Sequence, residues 1–248
     1  MNNRIKKLLY GLAASSSLYI GSVLLYPNLP KLSPTYQTKV KDQTYKEDIR
    51  CIYIMGSDLQ KSEILPFGYD LKYAKDCMDK ILKDHDDYIF VYDKPSDVDP
   101  RKLLESVSKN TGNEDKTIIF VESHDDNYFK DTLLRFSKKT KGDKFIFYSS
   151  CYSGRVVDDF REEKPKNTAI VSSTQSDTKD PYSSGGLDFI FYSYTRDIAN
   201  FLLDTNGDIT MAFQKTNIKR MNSVQKYANG YSTIGKIYST GAMQLPVK

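Results

Sequence analysis

Two side chains in this sequence have the chemistry of a nucleophile and its proton partner. Cys151 lies in the run Ser-Ser-Cys-Tyr-Ser-Gly from Ser149 to Gly154, and His124 in Glu-Ser-His-Asp-Asp-Asn from Glu122 to Asn127. A free thiol is only a few per cent ionised at neutral pH, and a neighbouring imidazole raises its reactivity. The same imidazole can then protonate a leaving amine. Ser149, Ser150, Ser153 and Gly154 are small and leave room beside the sulfur. Taken singly, a Cys after an apolar run is a core residue and a His at a strand end is a surface group. Taken together, at the ends of successive apolar runs, they read as a catalytic pair.

The elements that must position them follow from periodicity. Thr117–Val121 precedes His124 and Lys144–Tyr148 precedes Cys151; both are short, β-rich and apolar. Ile49–Met55, Tyr88–Tyr92 and Thr168–Ser172 read as further strands. Between them, Tyr69–Lys83 carries Leu71, Ala74, Met78 and Leu82 at the spacing of one helix face. Asp99 and Pro100 open a helix through Ser108, with Pro at the first helical position. Helices are also expected over Phe129–Lys139, Val156–Glu163, Leu187–Leu203 and about Thr210–Asn222. This alternation predicts an α/β fold, a mainly parallel open sheet with helices on both faces. Ligands of such sheets bind beyond the carboxyl ends of the strands. The 27-residue separation of His124 and Cys151 fits one strand–helix–strand crossover, which would bring both to the same sheet edge.

The order of these motifs resembles the caspase-hemoglobinase group of cysteine peptidases, whose members include legumains, metacaspases and caspases. Phe120–His124 and Phe147–Gly154 match its two strand-end motifs in type and order. Ile54–Asp58, Thr168–Thr174, Gly185–Phe189 and Leu203–Thr210 resemble other parts of bacterial legumain-like domains, so the likeness runs from about Asp48 to Asn222. The resemblance implies a Cys151–His124 dyad, with Asp58 standing where a His-orienting Asn is expected. It implies oxyanion contacts from the backbone at Asp125 and Cys151, and a substrate cleft lined by Ser172, Ser173 and Thr174. The implied activity is that of a cysteine endopeptidase working through an acyl-enzyme, or a transpeptidase where an amine outcompetes water. The chain departs from the group at Asp125, where Gly is usual, and in having no early-loop Arg for an acidic or Asn side chain. Lys61 and Lys72 are the nearest basic candidates. Asp125 motivates a second reading, an inactive relative that binds peptides or protein partners.

Other arrangements fail on order. A nucleophile elbow or a papain-like site needs a His after the nucleophile, and none follows Cys151. Asp204–Asp208 begins like a calcium loop, but Gly207 falls at the fourth position and Lys215 at the twelfth, so it reads as a turn between helices. His85, in a polar loop, reads as a solvated turn residue. Cys51 and Cys77 read as packing residues, with a bridge between them left open. Three Cys and two His, none in CxxC spacing, suggest neither a metal site nor a cofactor. The net charge is +4, of which Arg4, Lys6 and Lys7 supply three, so the body is nearly neutral. It lacks a footprint for nucleic acid, and the partner expected is a peptide or protein substrate. The oligomeric state is left open.

The N-terminus reads as an address. Residues 1–27 hold a basic start and an uncharged stretch over residues 8–26, near the ~20 residues that span hydrocarbon. A cleaved signal peptide and a retained membrane anchor fit equally, and a buried cytosolic helix is the alternative. Export would leave the positive flank inside and carry the body across. Residues 28–47 are polar, with Pro30 and Pro34, and read as a linker. Residues 48–248 then form the peptidase-like domain, secreted or anchored outside the cytoplasm.

Overall fold

Apolar runs without alternation are what strands buried on both faces require, and four of them build the centre of one sheet. A computed structural model describes residues 48–55, 67–82, 84–91, 100–123, 127–178, 193–224 and 234–248. Residues 1–47, Asp58, Lys61, His124, Asp125 and the loop at 185–189 lie outside the described residues. The strands are β1 (Ile49–Met55), β2 (Asp86–Val91), β3 (Lys116–Glu122), β4 (Asp143–Ser149), β5 (Thr168–Ser172) and β6 (Ile237–Ser239). Their order is β2-β1-β3-β4-β5-β6. The first five run parallel and β6 pairs antiparallel with β5.

The helices are α1 (Phe67–Ile81), α2 (Pro100–Lys109), α3 (Asn127–Lys139), α4 (Gly154–Glu163), α5 (Tyr194–Asp204) and α6 (Ile209–Val224). They divide between the two faces, as the side-chain alternation of the strands demands. On one face Cys51, Tyr53, Phe120, Phe145 and Phe147 meet Leu71, Ala74 and Met78 of α1 and Ile198, Ala199 and Leu202 of α5. Phe120 stacks on Phe147 at 4.7 Å and on Tyr53 at 5.6 Å between ring centroids. On the other face Ile52, Ile54, Ile119, Val121, Ile146 and Tyr148 meet Leu104 of α2, Leu133 of α3 and Val157 and Phe160 of α4. The expected mainly parallel α/β sheet with helices on both faces is therefore the fold.

β1 lies between β2 and β3, so the chain leaves it in opposite directions and the sheet has its switch point there. β3 and β4 are hydrogen-bonded neighbours, in register from Lys116 opposite Asp143 to Glu122 opposite Ser149. The crossover between them is α3, as its length predicts. β6 was not expected from the sequence: three half-buried residues carry no readable period. Asp204–Asp208 is a turn between α5 and α6, with Asn206 and Gly207 at φ 50° and 81°. No cysteine among Cys51, Cys77 and Cys151 is in a disulfide; Cys51 and Cys77 pack in the same core.

The edge where the strands begin is fastened by charge. Arg50 reaches Asp115 and Asp48, each at 3.0 Å. His85 corrects the sequence reading: its side chain is only 9 % exposed and sits between Asp79 and Asp87, not in a solvated turn. Lys144 is buried and its ammonium donates to the Thr140 carbonyl at 2.8 Å.

Candidate active site

The site is built on the opposite edge, where the strands end. β3 finishes at Glu122, and the next residue, Ser123, donates its N–H to the Ser149 carbonyl at 3.0 Å. Ser123 Oγ also lies 3.2 Å from the Tyr148 hydroxyl. The pairing of β3 with β4 thus extends to the residue before His124. His124 itself, Asp125 and Asp58 lie outside the described residues.

β4 finishes at Ser149, and the chain turns sharply through Ser150–Ser153 into α4. Cys151 sits on this turn, 6 % exposed. Tyr152 adopts φ 58°, a conformation that costs an L-residue roughly 1–2 kcal/mol. Two contacts hold it there. Its N–H donates to the Thr178 carbonyl at 2.9 Å, and the Arg155 guanidinium lies 4.7 Å from its ring centroid. Arg155 is itself anchored by Nε on the Ser176 carbonyl at 2.8 Å. Cys151 stands three residues before the first residue of α4.

Beneath the turn lies a set of neutral hydroxyls. Ser153, at the start of α4, does not cap the helix with its side chain. Its Oγ instead accepts from the Thr174 N–H at 3.1 Å and lies 3.0 Å from Thr174 Oγ1 and 3.2 Å from Ser173 Oγ. Ser173 Oγ accepts from the Ser150 N–H at 3.2 Å and donates to the Ser150 carbonyl. Ser150 Oγ donates to the Cys151 carbonyl at 2.9 Å. Ser172 Oγ donates to the Thr174 carbonyl at 2.9 Å. Ser172, Ser173 and Thr174, expected to line a cleft, are fully buried; the Ser173 and Thr174 hydroxyls brace the Cys151 turn, and the Ser172 hydroxyl holds Thr174 and Lys236. Their small polar character was legible in the sequence; this bracing use was not.

Backbone closeness explains two glycines. A β-carbon on Gly154 would stand 2.5 Å from the Gln175 carbonyl carbon and 2.6 Å from the Ser176 nitrogen. One on Gly235 would stand 1.8 Å from the Ser172 oxygen. The segment entering β6 is therefore pressed onto the end of β5. A charge cluster holds it there: Lys236 Nζ lies 2.8 and 2.6 Å from the two Asp158 carboxylate oxygens, and Ser176 Oγ also donates to Asp158. Burial raises the Asp158 carboxyl, but the hydrogen bonds from Lys236 and Ser176 outweigh it and hold the group below the usual range. Asp158, Ser176 and Lys236 were not singled out in the sequence, because no local pattern links residues so far apart. Lys72 is exposed on α1.

Among the described residues, the one group of Cys, His and Asp donors close enough to share an ion is Cys51, His85 and Asp87, at the far edge of the sheet. None of the described helices is long and apolar enough to cross a membrane, and residues 8–26 lie outside them.

No protein-family model and no curated protein matches this chain. A structural match is the crystal structure of the caspase drICE, with a TM-score of 0.46 and 12 % sequence identity, over 80 % of this chain and 90 % of that one.

Proposed function

We propose that the chain is a cysteine peptidase of the caspase-hemoglobinase kind, with Cys151 as nucleophile and His124 as its proton partner. The observation that carries this reading is the pairing of β3 with β4. The two strands run side by side in parallel, Ser123 is still bonded to Ser149, and the next residue in sequence is His124. The braced turn at Cys151 adds the support a reactive thiol needs.

In this mechanism the Cys151 sulfur attacks the scissile carbonyl as its proton passes to His124, oriented by Asp58. Backbone N–H groups at Asp125 and Cys151 stabilise the oxyanion. Collapse of the tetrahedral intermediate breaks the C–N bond, and His124 gives the proton to the departing amine. Water, deprotonated by His124, then hydrolyses the thioester and restores the thiol. A competing amine in place of water makes the product a new amide. The substrate is a peptide or protein, met outside the cytoplasm if residues 8–26 act as an export signal or anchor.

The 6 % exposure of Cys151 and the acidic Asp125 favour a second reading, a partner-binding relative without turnover. A peptidyl electrophile at neutral pH separates the two. Stoichiometric labelling of Cys151, lost in Cys151→Ala and reduced at least about 100-fold in rate in His124→Ala, is expected of the peptidase. A folded chain whose thiol stays unlabelled, or labels equally fast without His124, overturns that reading and leaves the binding one.

A further inference from the structure

At the edge of the sheet away from Cys151, three elements bring unlike donor atoms together. Cys51 on β1 stands opposite Asp87 on β2 in the parallel register, and His85 enters from the turn before β2. One donor atom of each lies within 4.8 Å of the other two. Asp79, from α1, adds a carboxylate oxygen 3.1 Å from His85 Nε2.

The cluster is more enclosed than a surface salt bridge. Cys51 is fully buried, and the His85 and Asp87 side chains are 9 % and 20 % exposed. Asp87 Oδ1 is shielded from solvent and has no hydrogen-bond partner among the described residues. It lies 3.5 Å from His85 Nε2, too long for a firm hydrogen bond. That separation is close to the one between two ligands of a tetrahedral ion whose bonds are about 2.0–2.3 Å. Lys75 engages the other Asp87 oxygen at 2.6 Å and the Asp79 carboxylate at 2.8 Å. It leaves Oδ1 open while placing a competing positive charge beside it. The more exposed Asp79 and Asp87 give an entry path from solvent.

We propose that Cys51, His85 and Asp87 bind one zinc-class divalent ion that ties β1 to β2 and the turn before it, with Asp79 beside His85 as an outer carboxylate. The sulfur, nitrogen and oxygen set suits zinc better than calcium or magnesium, which take oxygen alone. On binding, the Cys51 S–H bond breaks, a sulfur–metal bond forms and the proton goes to buffer; no electron is transferred. The site revises the sequence expectation that no metal is held, which rested on the scarcity of His and Cys rather than on where they meet. It is independent of the chemistry at Cys151.

The full chain, stripped with chelator, is titrated with Co²⁺ and then with competing Zn²⁺. Expected is one Co²⁺ per chain with a thiolate-to-cobalt absorption band, bleached by Zn²⁺ and accompanied by a rise in Tm. The band survives Cys151→Ala and is lost in Cys51→Ser and in His85→Gln. Lys75→Met, which removes the competing ammonium, tightens binding by about tenfold. Cys51 is a core position, so the less deeply buried His85→Gln and Lys75→Met keep the test decisive if Cys51→Ser does not fold. A missing thiolate band, a band that survives His85→Gln or disappears with Cys151→Ala, or a Lys75→Met chain that binds no tighter overturns the proposal.

Discussion

The turn that carries Cys151 and the edge where the strands begin are held by different means. Where the strands end, around Cys151, the brace is a set of uncharged hydroxyls from Ser150, Ser153, Ser173 and Thr174. Where they begin, the brace is ionic: Arg50 with Asp48 and Asp115, and Lys75 with Asp79 and Asp87. Charge is present at the end of the strands too: Lys236 and Asp158 pin the segment entering β6, and the Arg155 guanidinium lies over the Tyr152 ring. The turn itself, however, is fixed through hydroxyls, whereas the far edge relies on ion pairs.

The sharpest way to break the comparison is at a glycine on each edge. Gly235→Ala forces a β-carbon to 1.8 Å from the Ser172 oxygen; Gly142→Ala forces one to 2.1 Å from the Asp115 oxygen, at φ +68°. Each is expected to lose about 3 kcal/mol or more of stability in urea unfolding. Only Gly235→Ala should also slow labelling of Cys151; equal labelling in both would mean the edges are not mechanically separate.

Arg50→Met comes next. It leaves Asp115, 13 % exposed, without its guanidinium, and should cost about 2 kcal/mol, less than a fully buried pair because Asp48 is open to water. A fall in Tm of roughly 4–8 °C is the expected readout, with Cys151 labelling unchanged.

Ser153→Ala removes the acceptor of the Thr174 N–H and two hydroxyl contacts beneath the turn. The expected loss is about 1–2 kcal/mol by denaturant titration. Here labelling should slow several-fold, the converse of Arg50→Met.

A pH-dependent effect is expected at Lys144. Burial pushes its ammonium down to about 8, with Asp143 opposing the shift. Between about pH 8 and the unfolded value near 10.5 the unfolded chain holds one more proton than the folded one. Stability from this group therefore rises with pH across that window, and the charged amine is a burden below it. Lys144→Met should raise Tm at pH 7, and its advantage over the parent should shrink as pH climbs from 8 to 10.5.

Local pattern carried much of this molecule. The apolar runs at 49–55 and 168–172 were read at their observed limits, and the others within two residues, because a strand buried on both faces leaves an unmistakable block of β-branched and aromatic side chains. The 27-residue spacing from His124 to Cys151 foretold a crossover, and β3 and β4 are indeed neighbours. The long helix read over Leu187–Leu203 is corrected: α5 begins at Tyr194, because Ser193 is extended and its hydroxyl accepts from the Arg196 N–H as an N-cap; residues 187–192 lie outside the described residues.

What sequence alone determined, then, was periodic: which segments are strands or helices, that the sheet is mainly parallel, and that a Cys and a His follow its central strands. Only the tertiary structure decided that Ser173 and Thr174 are buried braces, that Gly235 must touch Ser172, and that His85 is enclosed with Cys51 and Asp87. These contacts join residues tens of positions apart. Side-chain periodicity reports the face a residue occupies, but the partner it meets there is set by how separate elements pack.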